Sequence, residues 1–154
     1  KPTPKSVRNV VIESCDVLLN ITGASVARCC IVPDDVLPAR VNQHVSIIRL
    51  AKDEMIPAFL HYALISKEYK DKLLKTGEKG GSTRQAITKA EIEDFAIAYP
   101  SRQEQRRIIS KLDTLLTETQ KLETIYQKKL DDLEDLKRSV LHKAFNGELA
   151  GACS

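Results

Sequence analysis

The sequence has no tryptophan, and only 5% of its 154 residues are aromatic. A protein that holds single-stranded nucleic acid by stacking bases needs a broad aromatic platform, so that mode of binding is disfavoured. No apolar run approaches the roughly 18 residues of a membrane span, and the opening Lys1-Pro2-Thr3-Pro4-Lys5 is not a signal peptide. Neither a membrane partner nor export is expected. The four cysteines (Cys15, Cys29, Cys30, Cys153) contain no Cys-x-x-Cys pair, and three lie in or beside apolar runs. They read as buried reduced thiols in a cytoplasmic protein rather than as a metal or redox site.

Constellations for catalysis are missing too. His44, His61 and His142 stand apart, with no metal-ligand spacing to one another or to a cysteine pair. Ser14, Ser25 and Ser82 have no nucleophile-elbow context, and the glycines at 77, 80 and 81 are not followed by Gly-Lys-Ser/Thr. The expectation is a chain with no catalytic residues, no metal and no cofactor of its own. A net charge of +3 permits a nucleic-acid partner without arguing for one, because a local basic face matters more.

Glycine and proline are also absent from residues 101–146, and this absence is informative. Ser101 and Glu104 have capping-box spacing directly after Pro100, so a helix is predicted from there to Gly147. At 1.5 Å per residue it would be about 65 Å long. Ile108, Leu112, Leu115, Thr119, Leu122 and Tyr126 recur in steps of four and three, the seam of a coiled coil. Lys129 breaks the strict repeat and Leu130 takes over, a stutter, before Leu133, Val140 and Ala144 continue the stripe. An ordinary amphipathic helix lying on its own globular part would use the same residues, but a head this small would not cover the whole stripe.

Residues 1–100 read as that head. Residues 16–22 (DVLLNIT) and 26–32 (VARCCIV) are strand-like runs around a Gly23-Ala24-Ser25 loop, and 45–50 (VSIIRL) is a third. Pro57 opens a helix through Phe59, Leu60, Ala63 and Leu64, and a second helical piece over 68–75 stops at Gly77. Thr88 and Glu91 cap a short helix, and 95–99 (FAIAY) reads as a last strand. The expected fold class is α+β: a small mixed globular recognition head (1–100), one long C-terminal coiled-coil-forming α-helix (101–146) and a tail (147–154).

The candidate binding chemistry lies in loops. Lys79, Ser82, Thr83, Arg84, Gln85 and Lys89 place donors around two glycines that allow close approach of the backbone. Arg40 with Asn42-Gln43-His44 forms a second polar cluster, and Arg28 follows the first loop. Arginine reads guanine edges and Gln or Asn reads adenine, while hydroxyls hold phosphates. A polar surface loop with structural glycine accounts for the same residues equally well.

Taken in serial order, the segments resemble the specificity subunit of type I restriction–modification systems. They are 16–25 (DVLLNITGAS), 41–45 (VNQHV), 81–87 (GSTRQAI), 92–100, 104–109 (EQRRII) and 143–149 (KAFNGEL). The resemblance implies a target-recognition domain reading half of a split duplex DNA sequence. It implies a spacer helix that pairs with a second such helix and docks DNA methyltransferase (modification) subunits. Those partners would carry S-adenosylmethionine, and a restriction/translocase subunit would use ATP and Mg2+. A full member of that family has two recognition domains and two spacers. This chain is therefore expected to be a C-terminal half, or a piece cut from one, with a recognition domain short at its N-terminus. Two copies would pair as a homodimer through Ile108, Leu112, Leu115, Leu122, Tyr126, Leu133 and Val140. A coiled-coil adaptor that binds protein rather than DNA is the alternative.

Overall fold

The computed structural model describes residues 11–50, 55–78 and 86–149. Its elements are β1 (Val17–Asn20), β2 (Cys29–Ile31), β3 (Val45–Ile48), α1 (Pro57–Ile65), α2 (Lys67–Glu78), α3 (Lys89–Glu93) and α4 (Arg102–Phe145). The class is α+β, as the sequence predicts. Two compact units are present, Lys1–Ile109 and Ser110–Ser154. The first therefore includes the opening turns of α4.

In the first unit the strands form an antiparallel sheet in the order β2-β1-β3. Leu18 faces Cys30 on one side and Ile47 on the other. Side chains alternate across a strand, so Val17 and Leu19 of β1 point to one face and are fully buried. Leu60 and Leu64 lie one helical turn apart on α1 and pack into the same cluster, together with Leu73 of α2 and Ile87. Pro57 sits at the start of α1, where its missing N–H costs nothing.

The strands are shorter than the apolar runs suggest, because pairing ends where the hairpin is bulged. Asn20 N–H donates to Arg28 O (2.8 Å) and Ala27 N–H donates to Asn20 O (2.9 Å), so two residues oppose one. Ala27 takes a left-handed φ of 64° there, a position that usually falls to glycine. The intervening loop closes with a short 3-10 turn at Gly23–Ser25.

Asp16, immediately before β1, is 2% exposed. Its carboxylate accepts Arg49 Nε (2.8 Å) and Nη2 (2.7 Å), and also the Glu13 N–H (2.7 Å). Burial pushes the Asp16 pKa up, but the Arg49 fork and the Glu13 amide outweigh it and hold the group below its ordinary value. Arg49 also donates to Glu13 Oε1 and to Val11 O, which ties the chain ahead of β1 to the end of β3.

Three expectations are corrected. Residues 95–99 form no strand; Ala98 N–H donates to the Tyr69 hydroxyl (3.1 Å), while Phe95 and Ile97 pack against the core. An apolar alternation makes a strand only where a backbone edge is offered to it. The second helix does not stop at Gly77 but runs to Glu78. The cysteines are not uniformly buried: Cys15 and Cys30 are exposed and Cys29 is half-buried. Cys15 sits in a turn with φ of 65°, and Cys30 faces away from the core because β2 alternates. Burial pushes the Cys29 thiol up to about 11, so it stays protonated at neutral pH. Cys153 lies outside the described residues.

At the start of α4, Glu104 N–H donates to the Ser101 hydroxyl (3.4 Å), as capping requires. At its end Gly147 adopts φ of 76°, Glu148 N–H bonds Lys143 O (2.9 Å) and Gly147 N–H bonds Ala144 O (3.2 Å). That pair of bonds is a Schellman stop. In the second unit every described side chain through residue 149 is exposed except that of Leu112. Leu115, Leu122, Tyr126, Leu133 and Val140 are therefore not covered by the chain itself, whereas Ile108 and Leu112 are half-buried. Among the described residues no helix is long and apolar enough to cross a membrane.

Candidate nucleic-acid interface

Beyond Asn20, the chain stays extended for two more residues, and these two organise the site. Ile21 N–H donates to His44 O (2.9 Å), and Ile87 N–H donates to Ile21 O (2.8 Å). Thr22 and Ala86 form an antiparallel bridge. A two-residue stretch thus holds the Asn42-Gln43-His44 segment on one side and Ala86-Ile87 on the other. Three segments remote in sequence meet at one end of the sheet.

The 42–44 segment is a tight turn. Asn42 Oδ1 accepts His44 N–H (2.9 Å) and Asn42 O accepts Val45 N–H (3.2 Å). Thr22 Oγ1 and His44 Nδ1 are 2.6 Å apart, and Gln43 Nε2 lies 3.5 Å from His44 Nε2. An amide NH2 is a donor, so the tautomer with the proton on Nδ1 satisfies both contacts. All three residues of the turn are exposed. They present an imidazole and two carboxamides to solvent, the donor and acceptor types that read base edges. The Asn42 carbonyl oxygen is already used in its own turn, which leaves its NH2 as the outward group.

Cations flank this cluster. Arg28 is exposed at the bulge and lines a shallow depression with Asn20 and Val45. Lys89 lines another with Ile21 and Val45. Lys89 is held at the first turn of α3, whose Thr88–Glu91 capping box is complete: Glu91 N–H donates to Thr88 Oγ1 and Glu91 Oε2 accepts Thr88 N–H (2.7 Å). That backbone bond, with the Thr88 hydroxyl, holds the Glu91 carboxylate below its usual value. Lys89 also pairs with Glu93 at 3.3 Å, a surface contact of little energetic weight. Arg40, two residues ahead of the turn, forms an antiparallel bridge with Val11.

Lys79, Ser82, Thr83, Arg84 and Gln85 lie outside the described residues. The chain is described up to Glu78 at the end of α2 and again from Ala86, at the bridge to Thr22. Thr22 itself was not singled out by sequence reasoning. The available signal was a hydroxyl residue at a strand end, directly before Gly23.

The sequence profile described as type I restriction modification DNA specificity domain matches residues 5–132. The chain is similar to the EcoBI type I restriction enzyme specificity subunit of Escherichia coli, 27% identical over 140 residues. It is also similar to the EcoDI specificity subunit of Escherichia coli, 40% identical over 76 residues, or 49% of this chain. A chain from a structure addressing complex assembly and conformational transition of the type I R-M system superposes with a TM-score of 0.70 at 26% identity, over 88% of this chain. The HsdS subunit from Thermoanaerobacter tengcongensis has the same fold, with a TM-score of 0.71 at 23% identity, over 92% of this chain. The matched stretch covers 28% and 17% of the two curated relatives, and 32% and 36% of the two solved chains.

Proposed function

The chain belongs to the type I restriction–modification DNA specificity domain family, and on that premise we propose that it reads one half of a split duplex DNA target. The observation that carries the reading is the convergence at Thr22 of the 42–44 turn and Ala86-Ile87, the residues that follow 79–85 in sequence, flanked by Arg28 and Lys89. In this reading Arg28, Arg40 and Lys89 hold phosphates and fix register. Arg84, Gln85 and the turn residues meet base edges in the major groove, with Ser82, Thr83 and Lys79 bonding the backbone beside them.

The exposed seam of α4 serves assembly. It pairs with a second helix, that of a second copy of this chain, and it docks DNA methyltransferase subunits. The chain itself is non-catalytic. S-adenosylmethionine belongs to the methyltransferase partners, and ATP with Mg2+ to a restriction/translocase partner.

The test is selection of bound duplexes from a random DNA pool by this chain mixed with its modification subunit. A split motif with one gap length is expected; an intact complex that enriches no motif would overturn the reading in favour of a protein-binding adaptor. Within that assay, Arg84→Ala lowers affinity for the selected duplex by about 1–3 kcal/mol, with the melting temperature unchanged. Binding also weakens steeply as salt rises, because each neutralised phosphate releases counterions.

A further inference from the structure

One polar side chain of α4 is fully buried: Gln105, at 0% exposure. A buried amide is costly unless both of its ends are bonded, and here both are. Gln105 Oε1 accepts Ile56 N–H (2.9 Å), and Gln105 Nε2 donates to Pro100 O (2.9 Å). Ile56 is the N-cap of α1, and its carbonyl accepts Leu60 N–H (3.0 Å). Leu60 in turn packs in the core with Val17 and Leu19 of β1, the strand that runs on into Thr22. The opening of α4 is therefore fastened by an oriented polar group, not only by apolar contact.

The distinction matters geometrically. An apolar side chain in that position tolerates sliding and rotation of the helix, whereas two hydrogen bonds made by one planar amide do not. Beyond these turns α4 continues unbroken to Phe145. Loss of the two Gln105 bonds would free the opening turns of that helix to turn and slide on α1.

We propose that Gln105 is a positioning residue that fixes the opening of α4 on the reading module and thereby sets how sharply the protein discriminates gap length between half-sites. The inference rests on the split-target reading above. Gln105 touches no DNA in this scheme and acts through α4.

The experiment measures affinity of the complex with its modification subunit for duplexes carrying the selected gap, and the same gap lengthened or shortened by one base pair. Wild type loses about tenfold per base pair of change. Gln105→Met keeps side-chain length and helix propensity but removes both bonds, and its loss falls below about threefold while affinity for a lone half-site is unchanged. Leu73→Ala, a core truncation in α2, serves as the stability control and retains wild-type discrimination. Gap discrimination kept in Gln105→Met, or lost equally in Leu73→Ala, overturns the proposal. Wild type alone gives a second reading should Gln105→Met not fold: a shallow response to gap length overturns the proposal, and a steep one supports it. Absence of any selected motif sinks the DNA reading instead, so the two failures are distinguishable.

Discussion

Arg49→Met lowers folding stability by about 3 kcal/mol, read as a fall in the denaturant midpoint at unchanged slope. The size follows from what is left behind rather than from the pair's own worth. Asp16 is 2% exposed, so its carboxylate would remain buried with only the Glu13 amide to solvate it. Removing one partner of a buried pair typically costs about 3–5 kcal/mol. The lower end applies because the Arg49 side chain is itself 47% exposed, and water already shares its charge. Asp16→Asn loses less, since it keeps an acceptor for Glu13 and leaves Arg49 at the surface.

The pH dependence separates the two explanations of such a loss. In the wild type the folded pKa of Asp16 is depressed. Its contribution is therefore present above the ordinary value of 3.8 and disappears as pH falls through the folded value. In Arg49→Met burial acts unopposed by the guanidinium, the Asp16 pKa rises, and protonation relieves the strain. The deficit of the variant should thus shrink as pH falls from about 5 to about 2. A deficit that stays constant over that range would mean that lost packing, not the orphaned charge, is responsible.

Leu122→Glu combined with Leu133→Glu weakens self-association of the chain by at least about 100-fold, that is by 2.7 kcal/mol or more. Both side chains are more than half exposed, at 52% and 60%, so neither supports the fold of a single copy. Burying a leucine is worth about 1.5–3 kcal/mol, and in a symmetric pair each substitution acts twice. Circular dichroism of the variant at high dilution should match wild type while light scattering shows the monomer. Lys129 provides the opposite test. It interrupts the seam, and its Nζ lies 5.5 Å above the Tyr126 ring. Lys129→Leu restores the heptad and tightens pairing. A wild-type chain that stays monomeric at every concentration would sink the homodimer.

How much of this was legible depends on how far apart the interacting residues are. The Thr88–Glu91 box and the Ser101 cap needed only residues three apart, and both form. Gly147 was readable as a stop because only a backbone free of Cβ strain takes φ of 76° easily. The α4 stripe was equally visible, since helical periodicity is a local property. Residues 95–99 failed for the opposite reason. Alternating apolar residues reach the core equally well as a strand or as an extended strap, and the choice fell to the Tyr69 hydroxyl, 29 positions away from Ala98. The exposure of Cys30 depended on which face of β2 the sheet register turned inward.

The sequence by itself determined the α+β class, the long helix with both its ends, the exposed polar turn at 42–44 and the family. Those follow from spacing along the chain, from turn chemistry and from the order of segments. The tertiary structure alone decided that Thr22 joins residues 44 and 86 into one surface, that Arg40 bridges to Val11, and that a glutamine in an outwardly solvent-facing helix is buried. Each of these outcomes is a hydrogen bond or bridge between residues far apart in sequence. Such bonds form only after the apolar core has brought their partners together, so no local pattern encodes them.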